Sequence, residues 1–141
     1  MHELDLHYSW SYPQTPLWRQ ARTWLLDAFA QGGVRPRMGL DLFATFRAGG
    51  LPDPRLMLET FIGGGSLSPA WAWASAIGAV APLMERLGIA NVEEVGPETL
   101  AGRLETELGT DGIAVGPPMI GAWSRVAQSS ARSFESGISR A

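Results

Sequence analysis

The sequence predicts one α/β domain, a sheet covered by helices. Three observations carry this. The elements read strand, helix, helix, strand, helix, helix, strand, an alternation that favours a sheet with helical layers. A length of 141 residues suits a single domain whose core needs no disulfide or metal staple. Apolar residues at 45% and charged residues at 18% fit neither a disordered chain nor a coiled coil.

Each element has its own signal. His2-Glu3-Leu4-Asp5-Leu6-His7 alternates, with His2, Leu4 and Leu6 on one face and Glu3, Asp5 and His7 on the other, so it reads as a short half-buried strand. A loop punctuated by Pro13 and Pro16 follows. Thr15-Pro16 opens a helix, with Thr15 as N-cap and Pro16 in the first turn. Leu17, Ala21, Trp24, Leu25, Ala28 and Phe29 recur at helical spacing, and Gly32-Gly33 ends the run. A second helix covers Arg37 to Ala48, closed by Gly49-Gly50. Leu56 to Ile62 reads as a strand apolar on both faces and so covered on both sides. Gly63-Gly64-Gly65 is expected to be a flexible crossover. Ser68-Pro69 starts a long helix to Gly88, which Pro82 should kink or split. Pro97 to Leu108 is another helix, with Leu100, Leu104 and Leu108 as its stripe, and Met119 to Val126 is the last strand. The tail, 128–141, is rich in Ser and Arg and reads as frayed.

Composition removes whole classes of chemistry. All eleven basic residues are Arg, so no Schiff-base or P-loop lysine is available in this chain. Cysteine is absent, which excludes thiolate nucleophiles, disulfides and cysteine-bound metal clusters. A Ser-His-Asp triad would need His2 or His7, and no Gly-x-Ser-x-Gly elbow occurs. The net charge of −3 argues against a nucleic-acid partner. The N-terminus lacks the basic and apolar regions of a signal peptide, and the apolar stretch from Ala70 to Ala81 is too short for a membrane span. A cytoplasmic location is expected.

Two groups of residues are candidates for function. Glu3, Asp5 and His7 offer carboxylates and an imidazole, the raw material of a metal site. Along a strand they stand about 6–7 Å apart per step, wide for one ion, and the plainer reading is a solvated face with no metal. Tyr8, Trp10 and Tyr12 follow the carboxyl end of the first strand, where aromatic residues either line a ligand crevice or pack a loop over the sheet. Trp71 and Trp73 lie two apart on a helix, so one can enter the core while the other faces outward.

Several stretches together resemble the C-terminal half of a class I S-adenosylmethionine-dependent methyltransferase of the small-molecule type related to ubiquinone and menaquinone biosynthesis. They are His2 to Leu6 with Ser11-Tyr12-Pro13, Pro36 to Leu40 running to Phe46, Ala48 to Leu51 before the strand at Leu56, and Ile120 to Arg125. The resemblance spans residues 2–126, so 1–127 is expected to be the C-terminal portion of a methyltransferase domain. It implies a partial doubly wound, Rossmann-like sheet. The strands ending at Leu6, Ile62 and Val126 would be its fifth, sixth and seventh, with the antiparallel seventh between the other two. The intact parent would use S-adenosyl-L-methionine to methylate a small-molecule acceptor. The family's glycine-rich turn and ribose-holding carboxylate have no counterpart here, so this chain alone is expected to bind no cofactor. What remains is the acceptor side, and Asp5, His7, Tyr8, Trp10 and Tyr12 are the candidate substrate-binding residues because they follow a strand's carboxyl end. A non-catalytic binding or assembly module derived from the same fold is the alternative.

If the first strand once paired with a missing fourth, its free edge should favour self-association. Apolar surface at Leu17, Trp24 or Leu42 is expected to be uncovered for the same reason.

Overall fold

The computed structural model describes residues 1–8 and 10–126. The expected frayed tail lies outside these residues. The chain is a mixed α/β fold with two small antiparallel sheets and helices packed against them. The strands are β1 (His2–Leu4), β2 (Ser11–Tyr12), β3 (Arg55–Glu59), β4 (Ile62–Gly63), β5 (Ile113–Val115) and β6 (Met119–Trp123). The helices are α1 (Pro16–Gln31), α2 (Met38–Ala48), α3 (Ala70–Arg86), the single turn α4 (Val92–Val95) and α5 (Pro97–Leu108). A 3-10 turn, Gly65–Leu67, leads into α3.

The first sheet has the order β1-β6-β3, with β6 antiparallel to both neighbours. β1 and β3 therefore run parallel to each other. In this register Ile120 and Ala122 share a face with Leu56 and Leu58. That face meets α2 through Leu42, with Met38 and Phe46 beside it. On the opposite face stand Met119, Gly121 and Trp123 with Met57 and Leu4. The second sheet, β2-β5-β4, was not expected from the sequence.

The main core lies between α1, α3 and α5. Trp18, Leu25, Trp73, Ile77, Met84, Leu100 and Leu104 fill it, joined by Leu6 and Trp10 from the loop after β1. Two indoles in it are tied to backbone. Trp18 Nε1 donates to the Leu104 carbonyl at 3.0 Å, and Trp73 Nε1 to that of Val115 at 2.7 Å. Trp71, two residues before Trp73, is 60% exposed, so the pair divides between core and surface. Among the described residues no helix is long and apolar enough to cross a membrane.

Several expectations need correction. The strand expected from Leu56 to Ile62 breaks at Thr60-Phe61 into β3 and β4, which belong to different sheets. It is not covered on both sides either, because every residue of β3 is exposed. The free apolar surface lies there, at Met57, Phe61, Ile62 and Trp123; Trp24 and Leu42 are buried and Leu17 is half-buried. The last strand stops at Trp123 rather than Val126. Pro82 does not split α3, which continues through it as one helix. Gly63 and Gly64 are tightly packed rather than a loose crossover, while a Cβ on Gly65 would meet nothing within 4 Å. A Cβ on Gly63 would lie 2.1 Å from the Leu67 carbonyl oxygen, and one on Gly64 2.5 Å from that of Gly112.

Thr15 and Pro16 do begin α1, yet Thr15 does not cap it. Its hydroxyl donates instead to the Glu107 carboxylate of α5. The same carboxylate accepts the Leu17 N–H through Oε2 at 2.9 Å and Oε1 at 3.1 Å. The N-terminus of α1 is thus satisfied from another helix.

Candidate functional site

β1 ends at Leu4, and past that point the strand alternation lapses. Asp5 and Leu6 are both buried, at 0% and 1% exposure. Asp5 therefore does not join Glu3 and His7 on a solvated face. Its backbone N–H donates to the Pro118 carbonyl at 3.1 Å, which anchors the loop beside β6. Its Oδ1 accepts the His7 N–H at 3.1 Å, and Oδ2 accepts the Leu40 N–H at 3.3 Å. Leu40 lies in the first turn of α2, where a carboxylate is favoured by free N–H groups and the helix dipole. Asp5 thus ties the loop to α2. The His7 ring stands partly exposed, its Nδ1 3.8 Å from Asp5 Oδ1. Among the described residues no three of His, Asp and Glu gather in a way that could hold a metal ion.

The five candidate substrate residues diverge. Asp5 faces α2, Tyr8 is partly exposed and Tyr12 is 75% exposed. Trp10 turns inward and stacks on Trp73, with ring centroids 3.5 Å apart and an interplanar angle of 11°. Of the five, Trp10 alone lines a cleft of about 200 Å³ that opens beside α1. Trp10 and Ser11 form one wall, and Trp18, Arg19 and Arg22 of α1 form the other. Among the described residues no carboxylate lines it, and Gln14 and Thr23 complete the lining.

The two arginines were missed by the sequence reading. Their spacing of three on α1 puts both on one helix face, immediately after an aromatic loop, and that is the signal that could have found them. Arg22 is held in place: its Nη2 donates to the His7 carbonyl at 3.0 Å. Arg19 is exposed and has no side-chain partner among the described residues. Arg19 and Arg22 give the cleft a positive lining, while Trp10 and Trp18 behind them are core residues, each 2% exposed.

Glycines that meet a bound cofactor leave their backbone free for close approach. Here the backbone of Gly63 and Gly64 is approached by Leu67 and Gly112 of the same chain. No family model matches the chain, and no curated protein matches it.

Proposed function

We propose that this chain is the acceptor-side portion of a class I S-adenosylmethionine-dependent methyltransferase domain, whose intact form methylates a small molecule. The observation that carries the reading is the order β1-β6-β3, with an antiparallel strand between two mutually parallel ones. The resemblance implies that order for the last three strands of such a domain. Incomplete cover adds support. A doubly wound sheet carries helices on both faces. Here α2 packs over Ile120 and Ala122, but Leu56 and Leu58 on that face are 39% and 42% exposed, and Met57 and Trp123 on the other 47% and 46%. The uncovered face and the free edge of β1 are where the remainder of the sheet and its helices would sit.

In this reading the glycine-rich turn and the ribose carboxylate come from outside the chain. Calorimetry of the chain with adenosylmethionine is expected to give no specific heat. The decisive test is the coding DNA upstream of Met1. The expected result is an in-frame segment with a glycine-rich turn after a strand, and transfer of labelled methyl groups once that segment is fused to this chain. Absence of such a segment, or one-site micromolar cofactor binding by the chain alone, refutes the proposal. The second reading is a self-standing binding module. It is favoured by the main core, which residues of this chain close by themselves around Trp18, Trp73 and Leu104.

A further inference from the structure

We infer that the free edge of β3 is a dimer interface, on which a second copy of this chain pairs its own β3 antiparallel about Met57. The inference stands apart from the methyltransferase reading, in which the remainder of the sheet adds beyond β1 and leaves β3 at the rim.

A rim strand holds out N–H and C=O groups that another strand can take. Proteins blunt such edges with a charge in mid-strand, a proline or a bulge. β3 has none of these. Its five residues pair one-to-one with β6, and its centre is Leu56-Met57-Leu58. All five are exposed, the three apolar ones by 39%, 47% and 42%.

The order of residues in β3 selects the occupant. Arg55-Leu56-Met57-Leu58-Glu59 is complementary to its own reverse in charge and similar to it in size. An antiparallel pairing with a two-fold axis at Met57 sets Arg55 opposite Glu59 of the second copy and Glu59 opposite its Arg55. Leu56 meets Leu58 in the same way, and Met57 meets its own counterpart. Four leucines then gather on one face of the joined sheet, and on the other an ion pair stands on either side of the two methionines. Among the described residues neither Arg55 nor Glu59 has a side-chain hydrogen bond or ion pair, so both charges are available. A two-fold contact of this kind closes at two copies.

Other pairings are poorer. A slip of two residues one way sets Glu59 opposite Asp53 and brings Pro54, which has no N–H, into the ladder. A slip the other way runs into the break at Thr60-Phe61. A parallel pairing in register sets Arg55 beside Arg55. At the opposite rim, β1 has Glu3 at its centre, and two copies paired there would oppose two carboxylates. The rim that favours self-association is therefore β3 and not the first strand.

The test is sedimentation equilibrium of the full chain across roughly 1 μM to 1 mM. A five-residue edge buries less than the about 1,600 Å² of a standard interface, so micromolar dissociation is expected. Arg55→Glu and Glu59→Arg each turn two attractive pairs into repulsive ones and should weaken dimerisation about tenfold or more. Both side chains are exposed, and circular dichroism checks that the variants fold. Mixing the two variants should restore association, because every charge on one chain then faces its opposite on the other. The chain carrying both changes should dimerise like the parent. Glu3→Gln, which removes the repulsion at β1, should leave the constant unchanged. A parent chain that stays monomeric throughout overturns the inference. So do single charge reversals without effect, failure of either rescue, or a dimer strengthened by Glu3→Gln.

Discussion

Glu107→Ala should be one of the most damaging single changes at a partly exposed position, although the residue belongs to no pocket or core cluster. The carboxylate receives the Leu17 N–H on both oxygens, at 2.9 and 3.1 Å, and the Thr15 hydroxyl on Oε2. Hydrogen bonds to a charged group contribute roughly 1.5–3 kcal/mol each when buried, and less at a half-exposed site where water can replace the lost partner. A carboxylate at a helix N-terminus adds about 0.3–1 kcal/mol through the helix dipole. Discounting for water, Glu107→Ala is expected to cost about 2–3 kcal/mol. Glu107→Gln keeps one acceptor and loses the charge, so about 1 kcal/mol is expected. Thr15→Ala leaves the Leu17 bond intact and should cost less than about 1 kcal/mol. Urea unfolding followed by circular dichroism gives the free energies, with equal slopes confirming a change in stability alone. For a chain of this size each kcal/mol moves the melting temperature by roughly 3–4 °C. A Glu107→Ala midpoint indistinguishable from the parent, or a Thr15→Ala loss larger than that of Glu107→Ala, would refute the cross-helix cap.

Asp5→Ala leaves the Leu40 N–H with only the Arg37 carbonyl and the His7 N–H to water, and should cost about 1–2 kcal/mol in urea unfolding, with Asp5→Asn milder because one acceptor oxygen remains. An unchanged midpoint for Asp5→Ala would mean that the carboxylate does not hold the loop to α2. Gly64→Ala places a methyl group 2.5 Å from the backbone oxygen of Gly112 and should lower stability by roughly 1–3 kcal/mol; thermal melting checks it. Pro82→Ala should raise the melting temperature, because position 82 is exposed within a continuous helix and the new N–H can reach the Gly78 carbonyl, a gain of about 1–2 kcal/mol. A drop in melting temperature would show that the ring packs usefully where it stands.

The long helices were legible because their signals are local. Pro16 and Pro97 mark starts, Gly32 and Gly49 mark ends, and apolar stripes repeat many times between them. Strands of two or three residues, such as β2, β4 and β5, offer too few positions for alternation to register. Thr15 misled because a threonine before proline signals a cap, and nothing nearby reveals that a carboxylate 92 positions away takes its hydroxyl. Asp5 misled for a related reason. Alternation sends it outward only while the strand lasts, and β1 ends one residue earlier, where the N–H groups of α2 draw the side chain in. Of the site, the sequence located Trp10 but not Arg19 or Arg22. Charged residues on an amphipathic helix read as its wet face, and only the fold reveals that a loop folds back over them.

The position of β6 has a consequence for how the molecule is made. β1 and β3 are synthesised early, yet among the described residues each pairs only with the strand at Met119–Trp123. While the chain is still growing, neither has a neighbour in its own sheet. The helices α1, α3 and α5 can gather around Trp18 and Trp73 once residue 108 has emerged, but the first sheet cannot zip until residue 123 follows. For most of translation, two strand edges and the apolar side chains of β3 are exposed together, the condition under which nascent chains recruit chaperones or one another. A late step of synthesis is therefore the step that closes the sheet, and slowing it lengthens the interval in which the chain can go astray.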